Sequence, residues 1–183
     1  MEASFTEEQQ TAFRLQSQCT SKVKSLVNSY CFNTKIGWIT LEGDAKSLSK
    51  VSFSKHKNLQ TPFPLFLRAE KQIQQYLRRE LSTFTLPLLL QGTTFQKRVW
   101  RAISKIPYGH SASYASIAIQ IGSPRAARAI GMAANKNPFP IIIPCHRVIG
   151  SNGLLTGYVA GLGTKKKLLS IELKTLPNDG KNL

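Results

Sequence analysis

The chain has 183 residues, 42% hydrophobic and 19% charged, enough for one large or two small domains with a sizeable core. No apolar run approaches the roughly 20 residues that span a bilayer, and the opening Met1-Glu2-Ala3-Ser4 lacks the basic and apolar stretches of a secretion signal, so neither a membrane span nor export is expected. Lys and Arg number 25 against 9 Asp and Glu, a formal net charge of +16; this suits a polyanion, nucleic acid before an anionic membrane surface, because no long basic amphipathic helix supports the latter.

Residues 1–27 are polar, with Thr6 and Gln9 at capping-box spacing for a short helix. Tyr30, Phe32, Ile36 and Trp38, interrupted by Gly37, predict two short strands or a hairpin, and Leu48 to Phe53 alternates as a half-buried strand does. Phe66, Ala69, Ile73, Tyr76 and Leu77 then fall at helical spacing behind Pro64, which predicts a helix over 64–81. The N-terminal half is therefore expected to be an antiparallel sheet with a covering helix, and no catalytic cluster stands out in it. Cys19, Cys31 and His56 lack the paired spacing of a zinc site, so no metal is expected. Three cysteines with no export signal fit a reducing compartment, the cytoplasm or, in a eukaryote, the nucleus. Thr83 to Gln91, with Pro87, reads as the linker between an N-terminal domain of residues 1–88 and a C-terminal domain of residues 89–183.

The cations are uneven: residues from 91 onward hold 13 Lys and Arg against two acids, Glu172 and Asp179. Thr93 and Gln96 form a capping box, and Phe95, Val99, Ala102, Ile103 and Ile106 mark one face of the helix that follows, ended by Pro107-Tyr108-Gly109. Ser113 caps a second helix, Tyr114 to Gln120. Gly122 makes a turn, Ser123 an N-cap and Pro124 the first position of a third helix that runs to Ala134. Two short helices around a glycine turn have the form of a helix-turn-helix. The second of the pair has no Asn, Gln, Ser or Glu along its middle to read base edges; it offers alanines, Gly131, and Arg125 and Arg128 one turn apart. That suits shape-driven or minor-groove binding. The same pattern also fits a core helix packed through its alanines, and the charge excess of this half favours DNA. Asn137, before Pro138, is a loop tie, a partner for the thiol described next, or a plain turn residue.

Ile141-Ile142-Ile143 reads as a buried strand that Pro144 stops, presenting Cys145 and His146 at its end. A thiol reacts as its thiolate, and a cysteine pKa of about 8.5 falls to roughly 3.5–7.5 beside a base or a positive charge. His146 as proton acceptor and Arg147 as a source of positive potential would make Cys145 such a thiolate; the bland alternative is a buried filler beside a surface imidazole. A glycine-flanked loop carrying Tyr158 follows and suits the wall of a small pocket better than a dinucleotide fingerprint. Thr164 is placed as the cap of the last helix, in which Leu168, Leu169, Glu172 and Leu173 share a face. A carboxylate in an apolar stripe needs a partner, either His146 or Arg147.

Assembled, these residues resemble the O6-alkylguanine-DNA alkyltransferases, also called methylated-DNA–protein-cysteine methyltransferases. The resemblance runs from about Leu86 to Leu173. It rests on Gly92-Thr93-Thr94-Phe95-Gln96, Ile106-Pro107-Tyr108-Gly109, Arg125-Ala126-Ala127-Arg128-Ala129-Ile130-Gly131, and Asn137-Pro138 through Pro140 to Pro144-Cys145-His146-Arg147-Val148-Ile149-Gly150. It implies an α/β (α+β) fold: an RNase H-like sheet domain and a mostly helical, winged-helix-like domain containing the helix-turn-helix. It implies a partner, double-stranded DNA containing O6-alkylguanine, bound by a protein that is monomeric in solution and able to load several copies on DNA, and it implies no cofactor. The damaged base would be flipped into a pocket. Arg128 would fill the gap, Ala127 and Ala129 would line the groove, and Ser123 and Arg125 would contact the DNA. Tyr114 would contact the base and turn its phosphate. Cys145 would attack the alkyl carbon, His146 would take the thiol proton through a water with Glu172 behind it, and Asn137 would order the loops. The base edge would meet backbone near Cys145, Val148 and Val159, with Pro140 and Tyr158 as walls.

A thioether has no easy way back, so one event per molecule is expected, on O6-methylguanine and on O4-methylthymine. Val159 and Ala160 stand where relatives carry smaller residues, which predicts a narrower pocket and weaker reaction with bulky adducts. Gly163-Thr164-Lys165-Lys166-Lys167 lacks the usual tryptophan and acid, which would loosen the support under Glu172 or add phosphate contacts. Two alternatives share the residues: an alkylated-base sensor without transfer, and a hydrolase using Cys145, His146 and Glu172.

Overall fold

The computed structural model describes residues 28–55 and 62–173. The Thr6–Gln9 capping box, Cys19 and His56 lie outside the described residues. β1 (Asn28–Thr34) and β2 (Gly37–Gly43) form an antiparallel hairpin closed by Lys35 and Ile36, in register from Asn28↔Gly43 to Thr34↔Gly37. Gly37 takes φ +117°, a conformation a side chain resists. β3 (Leu48–Ser52) adds to β2, giving the order β1-β2-β3. Ile39 and Leu41 from β2, with Leu48 and Val51 from β3, point into the core.

α1 (Pro64–Leu77) covers this sheet with Leu65, Phe66, Ala69, Ile73, Tyr76 and Leu77, the stripe legible in the sequence. It begins with Pro64 in its first turn, as expected. It stops four residues before the expected end. Arg79 adopts a left-handed φ of 69°, and the Glu80 N–H closes back on the Gln75 carbonyl at 2.8 Å, a helix stop that a non-glycine residue supplies here.

The segment read as a linker is tied down. The Leu48 N–H donates to the Pro87 carbonyl and the Leu89 N–H to the Leu48 carbonyl, while Gln72 of α1 bonds both the backbone N–H and the hydroxyl of Thr85. Among the described residues a single hydrophobic core, from Phe32 to Ile171, runs through both halves.

α2 (Thr94–Ile103) starts at the expected reciprocal capping box of Thr93 and Gln96. β4 (Ala112–Ser113) pairs in parallel with β5 (Val148–Ile149). α3 (Tyr114–Gln120) is capped by the Ser113 hydroxyl, which accepts from the Ser116 N–H. α4 (Ala127–Asn135) follows a turn in which Gly122 has φ +67°. Its start corrects the expectation for Ser123. The Ser123 carbonyl accepts from the Ala126 N–H at 2.9 Å, so Pro124 and Arg125 are the middle of a turn, which Pro favours as readily as a helix start, and Ser123 is not an N-cap. The Trp100 indole N–H donates to the Ala133 carbonyl at 2.8 Å and locks α2 to α4.

The Ile141–Ile143 run is not a strand. Residues 140–142 form a turn, the Ile143 N–H donates to the Phe139 carbonyl at 2.8 Å, and Ile141 takes φ +76°. A β-branched residue there is strained, at a cost on the order of 1–3 kcal/mol. α5 (Gly161–Leu173) begins three residues before the expected Thr164 cap, and its buried face carries Lys165, Leu168, Ile171 and Glu172, leaving Leu173 exposed.

Candidate active site

After Pro144 the chain makes one short 3-10 turn, Cys145–Arg147, and all three of its side chains are buried. The turn is braced from the Asn137 side: the Asn137 Oδ1 accepts from the Phe139 N–H at 2.9 Å, and its Nδ2 donates to the Ile143 carbonyl at 2.8 Å and to Cys145 Sγ at 3.1 Å. Two of the roles open to Asn137 thus belong to it together, loop tie and thiol partner.

Cys145 is 4% exposed, yet it forms part of the lining of a cleft of about 690 Å³. The helix-turn-helix supplies one wall through Tyr114, Ala127, Arg128 and Gly131, and the loop Thr156–Val159 supplies the other. The Tyr114 ring lies over Gly131, and its hydroxyl accepts from the Thr156 hydroxyl at 3.3 Å. Tyr158 is buried and its hydroxyl has no hydrogen-bond partner among the described residues; burial pushes its pKa well up.

Behind Cys145 the imidazole of His146 is wholly buried. Its Nε2 stands 2.7 Å from Glu172 Oε1, and its Nδ1 has no partner among the described residues. Glu172 meets Arg147 as well: the Arg147 Nε lies 3.1 and 3.0 Å from its two oxygens, and the Gly109 N–H donates to Oε2 at 3.0 Å. Both partners proposed for Glu172 are therefore real. Burial alone raises the Glu172 carboxyl, but the His146, Tyr76 and Arg147 groups around it outweigh burial and hold it at about 2. Burial lowers the basicity of His146 more than Glu172 raises it, so the imidazole is neutral.

The thiol departs from expectation. Burial pushes Cys145 up to about 11, against the lowering effects of the Asn137 hydrogen bond and the Lys165 charge, so the resting sulfur carries its proton. The cation that lowers it is Lys165 and not Arg147, which is spent on Glu172 and the Ile106 carbonyl.

Two residues of this cluster were not anticipated. Lys165 is completely buried, and its Nζ donates to the Val148 carbonyl at 2.6 Å and the Thr156 carbonyl at 2.7 Å, tying α5 to β5 and to the cleft loop. Its position three residues before Leu168 and seven before Glu172 was a legible signal of burial. Tyr76, from α1, donates its hydroxyl hydrogen to Glu172 Oε1 and stands 3.1 Å from His146 Nε2; nothing local in the sequence marks it apart from its neighbours in the stripe.

Of the remaining candidates, Val159 is half-exposed and lines the Cys145 cleft, and Arg128 is exposed at that cleft. Val148 is buried, with its carbonyl taken by Lys165. Pro140 lines an adjoining cavity with Lys50, Asn137 and Val159 and is not part of the Cys145 cleft. Ser123, Arg125 and Ala129 lie on the helix-turn-helix outside the cleft lining, with Arg125 exposed.

A cysteine at the base of a cleft between a helix-turn-helix and a glycine-flanked loop, backed by a buried neutral histidine and an ionised glutamate, defines a single-cysteine acceptor or nucleophile on a nucleic-acid-binding scaffold. Residues 94–174 match the family model of the 6-O-methylguanine DNA methyltransferase DNA-binding domain. The methylated-DNA–protein-cysteine methyltransferase of Methanosarcina acetivorans is 46% identical over 148 residues, spanning 77% of this chain and 95% of that protein. Among solved structures, the Mycobacterium tuberculosis O6-methylguanine methyltransferase superposes with a TM-score of 0.75 at 42% identity, covering 84% of this chain and 97% of that one. The Mycobacterium tuberculosis OGT crystallised in complex with DNA gives 0.74 at 44% identity, covering 82% and 96%. The chain belongs to the methylated-DNA–protein-cysteine methyltransferase family. Among the described residues, no helix is long and apolar enough to cross a membrane.

Proposed function

We propose that this chain repairs alkylated duplex DNA by moving the alkyl group of O6-alkylguanine, and the methyl group of O4-methylthymine, onto its own Cys145, once per molecule. The observation that carries the reading is the placement of Cys145 at the cleft under the helix-turn-helix, with the buried His146–Glu172 pair behind it. A relative crystallised in complex with DNA supports DNA as the partner.

In this reading Arg128, exposed at the cleft, enters the stack where the flipped base was, and small Ala127 and Ala129 let the α4 backbone approach the groove. Ser123 and Arg125, on the turn before α4, contact the DNA strand. Tyr114, Tyr158 and Val159 hold the base, and the buried Tyr158 hydroxyl has a hydrogen to give to a ring nitrogen. Because the resting thiol is protonated, ionisation accompanies substrate entry: the proton passes to His146 Nδ1, directly or through one water. Sγ then attacks the alkyl carbon, the S–C bond forms, and the C–O6 bond breaks with its electron pair left on the base. The base takes up a proton and is restored. The product thioether has no leaving group within reach, so the sulfur is consumed.

The test is intact mass after incubation with a duplex carrying one O6-methylguanine. The expected result is a single methyl-sized gain on the peptide that holds Cys145, a plateau of one event per protein, and no gain in Cys145→Ser. Repeated turnover without mass gain indicates a hydrolase, and tight binding without mass gain a sensor.

A further inference from the structure

We infer that Tyr76, supplied by α1 of the N-terminal half, is a positioning residue that holds His146 in the tautomer with its hydrogen on Nε2 and so reserves Nδ1 as the acceptor of the Cys145 proton. The inference deepens the alkyl-transfer reading and rests on it for its kinetic consequence, but the tautomer itself is a property of the resting protein.

The hydrogens available around Nε2 fix the tautomer. Glu172 is ionised and has none to give, so every neighbour that bonds it donates. Tyr76, fully buried, has one hydroxyl hydrogen, and it goes to Glu172 Oε1. Toward His146 Nε2, 3.1 Å away, the same hydroxyl has only lone pairs left to offer. Nε2 therefore faces two acceptors, the Tyr76 oxygen and, at 2.7 Å, Glu172 Oε1. A bare nitrogen there would oppose both, so Nε2 carries the hydrogen. A neutral imidazole carries only one, which leaves the lone pair on Nδ1, the nitrogen with no partner among the described residues.

The other charged and titratable groups facing His146 are Glu172, Arg147, Lys165, Tyr158 and Cys145. Arg147 is held on Glu172 and the Ile106 carbonyl, Lys165 on the Val148 and Thr156 carbonyls, and Tyr158 meets the imidazole ring edge-on. None of these supplies a second acceptor at Nε2. Tyr76 is itself fixed by ring contacts with Phe84 and Tyr108, so its hydroxyl is aimed before substrate arrives. The N-terminal half thus contributes an atom to the proton relay as well as a sheet.

The first test is the ¹⁵N spectrum of histidine-labelled protein at neutral pH, with His56 and His110 assigned by substitution. The expected result is a protonated Nε2 and an unprotonated Nδ1 for His146; the reverse tautomer, or an even mixture, overturns the inference. The second is Tyr76→Phe, which keeps the ring and its packing. Removing the hydroxyl takes one acceptor from Nε2 and one donor from Glu172, whose charge then acts more strongly on the imidazole. Methyl transfer should slow about tenfold at unchanged end point, and the acid limb of its pH profile should move to higher pH as His146 becomes more basic. An unchanged rate and profile in a folded Tyr76→Phe protein overturns the inference. Failure of the unsubstituted protein to take up any methyl group sinks the alkyl-transfer reading instead, while the ¹⁵N result still decides the tautomer.

Discussion

The Asn137 amide Nδ2 stands 3.1 Å from Cys145 Sγ, the one polar side chain with a hydrogen bond to that sulfur among the described residues. The same side chain holds the Ile143 carbonyl and the Phe139 N–H, so it sets both the loop and the thiol. Asn137→Ala should leave the buried Phe139 N–H unpaired, at about 1–3 kcal/mol, while the Ile143 carbonyl keeps the Cys145 N–H, and lower the thermal midpoint together with the transfer rate. Asn137→Asp keeps the bond to Phe139 but sets a negative charge against the developing thiolate. Its single-turnover transfer should be well below that of the unsubstituted protein even where its thermal midpoint is retained; equal rates would count against a role for the amide at sulfur.

Lys165 bears on the same sulfur from α5. Lys165→Met removes two hydrogen bonds to backbone carbonyls and the cation that lowers the thiol. The pH at which Cys145 becomes half-reactive toward a small soft alkylating agent should rise, read as modification of the peptide that carries Cys145. Lys165→Arg, which keeps the charge, should lie between the two. An unshifted midpoint in Lys165→Met would remove Lys165 from the thiol's electrostatics.

Stability should fall on both sides of neutrality, for opposite reasons. His146 is held below its ordinary 6.5 and Glu172 at about 2 against 4.5, so the folded state binds fewer protons than the unfolded chain as pH drops through those ranges, and acid favours unfolding. Cys145 is raised to about 11 from 9.0, so the folded state keeps a proton that the unfolded chain gives up, and stability is lost as pH rises above about 9. Urea unfolding from pH 4 to 10 checks this. His146→Gln should flatten the loss between pH 7 and 5, and Cys145→Ala the alkaline loss.

Val159 is half-exposed on the cleft wall, where a branched side chain narrows the space for a substituent on the base. Val159→Gly should raise the rate on O6-benzylguanine relative to O6-methylguanine, measured in one competition assay with duplex substrates. A ratio that does not move would show that the cleft width is set elsewhere.

What was readable in the sequence was local or periodic. The Thr93–Gln96 box and the Ser113 cap depend on residues three apart, and the α1 stripe repeats with the helix, so these elements begin where they were expected. That Glu172 needs a partner was legible, because a carboxylate in an apolar stripe demands one; which of His146 and Arg147 it would be was not, and both bond it. Ser123-Pro124 was ambiguous, because the same dipeptide opens a turn or a helix. Ile141–Ile143 misled because a short apolar run does not distinguish a strand from a buried turn. Tyr76 reaches the site across 96 residues of chain, and no local pattern encodes such a contact. The protonated thiol was missed for a related reason: His146 and Arg147 adjoin Cys145 in sequence, but burial, a property of the whole fold, sets its pKa.

The left-handed Ile141 has one more consequence. Left to itself, the backbone around it would relax toward an extended conformation; the bonds of Asn137 and Phe139 hold it from within the loop, and the Val51 N–H on the Pro138 carbonyl and the packing of a side chain that is 1% exposed hold it from the rest of the fold. Part of the aim of the sulfur is thus imposed from outside its own segment. A synthetic peptide spanning residues 137–150 should possess the nucleophile but not its orientation, and should react as an ordinary, undirected thiol.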